Sequence, residues 1–184
     1  MQPVFRALRE TNIILTEAEQ SIFNLLREYV AERSLAVEMR VAGGWVRDKL
    51  LGLDSHDVDV ALDRMTGEQF AVGLHAWLHA HQVRCSGLGV IQSNPDRSKH
   101  LETATLHFNG HSIDFVNLRS EEYAQGSRIP SAVQFGTPGE DAARRDCTIN
   151  ALFLNLSTEQ VEDWTGLGLT DLEGRLIRTP LAPR

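Results

Sequence analysis

The chain has 184 residues, which is one domain's worth and enough for a real hydrophobic core. Hydrophobic residues make up 42% of it and charged residues 23%, which excludes the disordered, collagen-like and coiled-coil classes. The 18 Lys and Arg against 25 Asp and Glu leave a net charge of −7, which argues against a basic nucleic-acid-binding module.

Periodicity and capping signals predict one α+β domain over residues 1–184. Capping boxes of the Thr-x-x-Glu and Thr-x-x-Gln type at Thr16 and Thr66 begin two amphipathic helices, and Thr137-Pro138-Gly139-Glu140 begins a third. The segment from Asp163 onward is rich in Gly and Thr and is predicted to be irregular. In chain order the predicted elements are a helix over residues 16–33, a strand over 37–42, a helix over 45–51, a strand over 57–62, a helix from 66, an extended segment over 83–91, strands over 101–108 and 111–118, a helix over 137–146 and a strand over 151–156.

Asn109-Gly110 between two alternating segments predicts a β-hairpin with a two-residue loop. In that register Thr105 lies opposite Asp114. The polar face of the hairpin then carries Thr103, Thr105 and Asp114. The opposite, core face carries Ala104, Leu106, Phe108, Ile113 and Phe115.

A strand that ends in Gly43-Gly44 leads directly into a short helix, with Arg47 one turn further on. Such a turn lets backbone N–H groups approach a phosphate at the positive end of a helix, and Arg47 adds charge. The segment lacks the glycine patterns of a dinucleotide fold and of a P-loop. Taken alone, the pattern is also that of an ordinary tight turn.

Asp57 and Asp59 alternate with Val58 and Val60 in the next strand, so both carboxylates lie on one face. Two like charges at this spacing favour a bound cation, and hard oxygen ligands suit Mg²⁺ together with substrate phosphates. The alternative is a solvated acidic strand face. The polar face of the hairpin offers Asp114 as a third carboxylate. Glu102 is a weaker candidate, because its parity is that of the core face.

The helix predicted from residue 137 carries Glu140 and Asp141 in its first turn and Arg144 and Arg145 in its last. Both placements favour the helix dipole, which by itself explains these charges. It does not explain why an Arg-Arg-Asp cluster is followed at once by a buried-looking strand.

Other residue types that can ligate metals form no convincing site. Cys85 and Cys147 lie far apart, which excludes a disulfide framework or zinc ribbon and favours a reducing compartment. His75, His79 and His81 have near-helical spacing but no carboxylate or cysteine partners, so they are interpreted as solvated. No apolar run is long enough to span a bilayer, so no membrane partner is expected.

The motifs GGWVRD, DVDV, LETATLHF with IDFVNLR, and RRDCTINALF together resemble the catalytic head of the class II tRNA nucleotidyltransferases. These CCA-adding enzymes belong to the polymerase-β-like superfamily, which includes bacterial poly(A) polymerases. The segments FGTPGEDAARRD and GLTDLEGRLIRTPLAP are most similar to the eukaryotic branch. The resemblance covers the chain from about Leu35 onward, and it implies a mixed or antiparallel sheet of about five strands flanked by helices.

The resemblance implies template-independent addition of C, C and A to the tRNA 3′ end from CTP and ATP, with two Mg²⁺ ions and release of pyrophosphate. Asp57 and Asp59 would bind the metals, and Asp114 would be the third catalytic carboxylate. The nucleotide-binding set would be Gly43, Gly44 and Arg47 on the triphosphate, with Arg144, Arg145, Asp146 and Asn150 around the nucleotide and ribose.

The resemblance also implies a flexible loop over residues 87–100 and a flexible segment over residues 163–172. The family's base-selecting motif would begin where this chain ends, so its helical neck, body and tail, with most of the tRNA-holding surface, are expected outside it. The chain alone is therefore expected to be weakly active at most.

Three other functions stay open: a poly(A) polymerase, an enzyme that adds only A, and a non-catalytic nucleotide-binding domain. The expected location is the cytoplasm, with the nucleus and the mitochondria or other organelles as further possibilities for this branch.

Overall fold

The part of the chain described by the structure, a computed structural model, comprises residues 2–7, 10–11, 13–55, 57–91, 103–108, 110–123 and 130–181. Its strands are β1 (Val4–Ala7), β2 (Met39–Ala42), β3 (Asp57–Leu62), β4 (Ser86–Ile91), β5 (Thr103–Phe108), β6 (His111–Asn117), β7 (Arg119–Tyr123), β8 (Pro130–Phe135), β9 (Leu152–Asn155) and β10 (Gln160–Asp163). Its helices are α1 (Glu17–Glu32), α2 (Gly44–Leu50), α3 (Gly67–Ala80), α4 (Pro138–Ala143) and α5 (Gly168–Gly174), and a 3₁₀ turn lies at Thr148–Asn150.

Eight strands form one mixed sheet in the order β1-β10-β9-β2-β3-β6-β5-β4, and β7 and β8 pair separately. All neighbours in the large sheet are antiparallel except β3 and β6, which are parallel. The α+β class with a mixed sheet is confirmed, but the expected count of about five strands is too low. The strands missed are short and lie mostly at the edge formed by β1 and β10 or in the separate pair.

The two faces of the sheet are covered differently. Helices α1 and α3 cover one face, where Val58, Val60 and Leu62 of β3 are buried as predicted. There the ring of Phe70 on α3 packs against Phe115 at 5.0 Å between centroids. The other face has a smaller apolar cluster beside α4, composed of Ala42, Ala61, Leu118, Ala142, Ala151 and Phe153. Because Ala42 of β2 and Ala61 of β3 have small side chains, they leave space on this face for a functional site.

Local signals in the sequence correctly located most elements. Thr16, Thr66 and Thr137 each accept a hydrogen bond from the backbone three residues on, and all three capping boxes are present. The hairpin has the predicted register, with Thr105 opposite Asp114. Its predicted core face is buried throughout.

Two predictions about helices are wrong. Helix α4 ends at Ala143, so Arg144 is its C-cap and Arg145 lies beyond it rather than in a last turn. The segment from Asp163 is not irregular throughout, because α5 forms within it, whereas residues 175–181 form no regular element. The flexibility expected over residues 163–172 stays a prediction. Asp163 Oδ2 accepts a hydrogen bond from the backbone of Leu169 at 3.1 Å, and Asp163 and Asp171 are each 1% exposed. The N-cap position, Leu167, makes no side-chain cap, so the usual sequence signal is missing.

Some predictions concern residues outside the described ranges. These are most of the loop expected over residues 87–100, Glu102, and Asn109 of the hairpin loop. Among the helices of the described ranges, none combines the length and the apolar character needed to cross a bilayer.

Candidate active site

The candidate site lies at one edge of the large sheet, where several strand ends meet. β2 runs antiparallel to β3, so Gly43, which follows β2, reaches the edge at which β3 begins with Asp57. β6 runs parallel to β3 and pairs Ser112 with Asp57. Asn150 comes just before β9, the other neighbour of β2, at the same edge. The sheet topology therefore gathers residues that are distant in sequence.

Asp57, Asp59 and Asp114 form what we call the carboxylate face. Asp59 pairs directly with Asp114 across the parallel β3–β6 ladder, and Asp57 is two residues away on the same side of β3. The hydroxyl of Thr105 donates a hydrogen bond to Asp114 Oδ1 at 2.5 Å. The strand parity predicted for these three carboxylates is thus confirmed, and Thr105 lies on the same face, as predicted for the hairpin.

The pKa of Asp59 is raised above its ordinary value of 3.8, chiefly because surrounding protein displaces water from its carboxylate. The charge of Asp114 adds to this rise, while the residue itself remains exposed on the sheet surface. Arg145 acts in the opposite direction, so its guanidinium lies within electrostatic reach of the carboxylates. A cation bound at the carboxylate face would therefore stabilise the ionised form of Asp59.

The carboxylate oxygens of this face suit a hard divalent cation, but they do not form a complete coordination shell. Among the described residues no group of three or more His, Cys, Asp or Glu side chains is already arranged to hold a metal ion. Mg²⁺ commonly binds through one or two carboxylates and completes its shell with water and substrate phosphates. Asp57 and Asp59 fit that mode of binding, with Asp114 adjacent.

Gly43 makes the turn between β2 and α2 in a conformation that favours glycine, with φ +72°. Its N–H donates to the carbonyl of Leu152 at 3.0 Å, which fixes the turn to β9. A Cβ at Gly43 would lie 2.9 Å from Nη1 of Arg145, whereas one at Gly44 would meet only Arg47 Nη2 at 3.6 Å. Gly43 thus allows an arginine to approach the backbone closely.

Arg47 of α2 points toward the segment before β9. Its Nη1 donates to Asn150 Oδ1 at 2.6 Å, and its Nε donates to Asp48 Oδ1 at 2.8 Å. Its side chain is 29% exposed, so one side of the guanidinium remains open to solvent. The structure therefore brings together Arg47 and Asn150, two residues of the predicted nucleotide-binding set.

Asp141, Arg144 and Arg145 form what we call the arginine cluster. Asp141 is 1% exposed and accepts hydrogen bonds from Arg144 Nε at 2.9 Å and from Arg145 Nε at 3.0 Å. It also accepts from the backbone N–H of Arg119 at 3.0 Å. Helix-dipole reasoning assigned Asp141 only a local role, and its spacing of three and four residues from the arginines was the signal available in the sequence.

Asn150 joins the other predicted nucleotide-binding residues. Its side-chain N–H groups donate to both oxygens of Asp146 at 3.2 and 3.1 Å. Its backbone carbonyl accepts a hydrogen bond from Arg145 Nη1 at 3.3 Å. Partial burial opposes ionisation of Asp146, but hydrogen bonds from Asn150 and the Cys147 backbone outweigh it and lower its pKa. Asn150 therefore links Arg47, Arg145 and Asp146 in one network.

The stretch that holds these residues matches a known family. Residues 39–178 match the family model of the Poly A polymerase head domain. The chain belongs to this family. The match runs from Met39 to the segment after α5, so it includes the candidate site. Nucleotidyltransferases of this family generally use divalent metals.

Two curated relatives of the head domain carry the name "CCA tRNA nucleotidyltransferase, mitochondrial". The protein from Candida glabrata is 48% identical over 196 residues, covering 98% of this chain and 37% of its own length. The protein from Saccharomyces cerevisiae is 49% identical over 185 residues, covering 95% and 34%. The chain thus spans little more than a third of the length of these relatives.

A solved structure of a CCA-adding enzyme in an apo form has the same fold. It is 27% identical, with a TM-score of 0.77, and the match covers 98% of this chain and 39% of that one. The arrangement of strands around the carboxylate face therefore belongs to a known enzyme fold.

Proposed function

We propose that the head domain is the catalytic part of a tRNA nucleotidyltransferase, which adds C, C and A to the tRNA 3′ end from CTP and ATP and releases pyrophosphate. The observation that carries the proposal is the meeting of the carboxylate face, the Gly43 turn and Arg145 at one sheet edge. The names of the two relatives agree with it.

In this proposal Asp57 and Asp59, with Asp114 beside them, hold Mg²⁺. The bound ions supply Lewis-acid activation of the RNA 3′-hydroxyl and neutralisation of phosphate charge. The protein's own contribution is to collect the acidic ligands on one rigid strand pair. The hydrogen bond from Thr105 restrains Asp114, which keeps one carboxylate oriented toward Asp59.

In this proposal the nucleotide lies on the β2 side of β3, whereas Asp114 lies on the β6 side. There it contacts Gly43, Gly44 and Arg47. Their role is to receive the triphosphate and stabilise the charge that develops on it as pyrophosphate leaves. The network of Asn150 with Asp146 and Arg145 borders the same space and would contact the ribose. Because transfer proceeds by direct attack of the RNA hydroxyl, no protein nucleophile is needed.

The direct test is extension of a labelled tRNA transcript that lacks its terminal CCA, using the full-length protein with Mg²⁺. We expect ordered addition of two C residues and one A when CTP and ATP are supplied, and no extension of tRNA that already ends in CCA. Long A tracts made with ATP alone would instead indicate a poly(A) polymerase. Extension only of tRNA that already ends in CC would indicate an enzyme that adds A alone.

Calorimetric titration with CTP separates a catalytic domain from an idle nucleotide-binding one. Since the carboxylate face is expected to bind nucleotide through Mg²⁺, CTP affinity should rise when Mg²⁺ is present and fall in EDTA. Binding that is indifferent to Mg²⁺ would contradict the catalytic assignment.

We also propose that the protein acts in mitochondria as well as in the cytoplasm or nucleus, because the names of both relatives include "mitochondrial". Cell fractionation with an antibody to the protein tests this. Absence from the mitochondrial fraction would restrict its location to the other compartments.

A further inference from the structure

A cleft of about 830 Å³ opens at the same sheet edge as the carboxylates. Its volume lies in the range of about 300–1,000 Å³ that is typical of ligand sites. We call it the edge cleft. Its lining includes Asp57, His79, Arg84, Ser86, His107 and Ser112.

The edge cleft lies on the opposite side of β3 from the nucleotide side of the site. In the sheet, β2 and β9 flank β3 on one side, and they carry the Gly43 turn and Asn150. On the other side come β6, β5 and β4, whose ends line the edge cleft. Asp57 at the start of β3 stands between the two and itself lines the edge cleft.

That arrangement matches the geometry of phosphoryl transfer. The attacking and leaving oxygens lie roughly in line on opposite sides of the reacting phosphorus. If the triphosphate lies against the Gly43 turn, its pyrophosphate leaves toward β2, and the attacking hydroxyl must come from the side of β6 and β5. The edge cleft lies on that side and borders a candidate metal ligand, Asp57.

Four of the residues that line the edge cleft form a row of cross-strand neighbours. Asp57 pairs with Ser112, Ser112 pairs with His107, and His107 pairs with Ser86. Neighbours in register point to the same face of a sheet, and three strand spacings cover about 15 Å. The row therefore leads away from Asp57 across three strands, and Arg84 lies just before its far end.

The chemistry of the residues that line the edge cleft suits a single-stranded nucleic acid. Imidazole rings such as those of His107 and His79 offer faces for base stacking, and the serine hydroxyls can bond ribose hydroxyls. The exposed guanidinium of Arg84 can bind one phosphate. A nucleoside triphosphate fits less well, because Arg84 is the lone Lys or Arg among the residues lining the described cleft and Asp57 is negative.

We propose that the edge cleft binds the single-stranded 3′ end of the acceptor RNA and directs its terminal hydroxyl toward Asp57. This inference rests on the proposed function, since it assumes nucleotidyl transfer at the carboxylate face. It adds a binding site for the second substrate, with His107 as a stacking residue and Arg84 as a phosphate contact.

The first test compares Arg84→Gln with Arg64→Gln in the full-length protein. Arg64 follows the far end of β3, is 71% exposed, and has one ion-pair neighbour, Asp63 at 3.3 Å, so it is a matched control. The probe is a fluorescent tRNA lacking its CCA end, and its affinity is measured by anisotropy over a range of salt. Losing one phosphate contact to a single strand should reduce the slope of log K against log salt by about 0.7 in Arg84→Gln alone.

The second test uses His107, which is exposed, so its replacement should leave the fold intact. His107→Ala should raise KM for the RNA about tenfold, the loss expected for one stacked base, with KM for CTP changed less than twofold. His107→Phe keeps a stacking face and should restore the KM for RNA. A merely structural role would move both KM values and would not be rescued by Phe.

The outcomes separate this inference from the proposed function. If the wild-type protein extends tRNA but both variants bind and use RNA normally, the edge cleft is not the RNA site and the function stands. If the wild-type protein extends no RNA, the proposed function fails, and the anisotropy measurement still tests RNA binding by itself. Equal effects of Arg84→Gln and Arg64→Gln would also overturn the inference.

Discussion

The carboxylate face and the arginine cluster lie close together, yet their charges are arranged in opposite ways. On the carboxylate face, Asp59 is a ladder neighbour of another carboxylate, Asp114, and its pKa is raised. In the arginine cluster, the buried Asp141 accepts from two guanidinium groups at 2.5 to 3.0 Å. One region collects like charge, and the other neutralises it.

This difference separates a binding role from a structural one. Like charges held together on a rigid strand pair cost stability, and a bound cation offsets that cost. The unlike charges around Asp141 instead fix the position of Arg145, which then reaches Asn150 and the turn at Gly43. Removing a carboxylate should therefore have opposite effects on the stability of the two regions.

The largest expected effect is loss of activity from the carboxylate face. Asp57→Ala or Asp59→Ala should lower the rate of CMP and AMP incorporation by at least about a thousandfold, because each removes a metal ligand. Single-turnover extension of tRNA lacking CCA measures this, with circular dichroism to check the fold. The exposed Asp54→Ala, outside the face, is the matched control and should retain wild-type rates. Near-wild-type incorporation by either variant would remove the metal assignment.

The next effect is loss of stability from the arginine cluster. Asp141→Asn removes the charge that partners Arg144 and Arg145, and we expect the free energy of unfolding to fall by about 3 kcal/mol. Urea denaturation measures it. The control is Glu173→Gln, which breaks the exposed pair with Arg6 at 3.3 Å and should cost less than about 0.5 kcal/mol. Equal losses of unfolding free energy in the two variants would mean that burial does not strengthen the ion pairs of Asp141.

A smaller effect is expected at Gly43, where the two regions approach each other. Gly43→Ala should cost about 1–2 kcal/mol, because alanine is strained at φ +72° and its Cβ would press on Arg145. Nucleotide KM should rise as Arg145 is displaced. Gly44→Ala lacks both problems and should be nearly neutral in stability. If both variants unfold at the same denaturant concentration, the close approach of Arg145 is unimportant.

The carboxylate face could be predicted because it follows from local rules. Strand alternation put Asp57 and Asp59 on one side, and the two-residue loop of the hairpin then determined that Asp114 pairs with Thr105. Only the parallel pairing of β3 with β6, a long-range feature, was needed to bring the carboxylates together.

The arginine cluster and α5 could not be predicted in the same way. Burial of Asp141 depends on tertiary contacts, including the backbone of Arg119. Helix α5 begins without a side-chain cap at Leu167, and the carboxylate of Asp163, six residues before Leu169, satisfies backbone donors there. No helix-start pattern in the sequence contains that spacing.

The smallest expected effect is a gain of stability. Asp59→Asn should raise the free energy of unfolding by a few tenths of a kcal/mol to about 1 kcal/mol at neutral pH in EDTA, since it removes a charge that folding partly desolvates and places beside Asp114. Because the folded pKa of Asp59 lies above its ordinary value of 3.8, the penalty of ionising it is present above the folded pKa. It declines as the pH falls through the folded value and is absent below the unfolded one, so the two proteins should converge in acid. Saturating Mg²⁺ should reverse their order at neutral pH, because it binds more tightly to the wild type, which keeps all its carboxylates, and so stabilises it more. Thermal unfolding across pH, with and without Mg²⁺, measures both effects, and a variant less stable than wild type in EDTA at neutral pH would contradict the like-charge interpretation of this face.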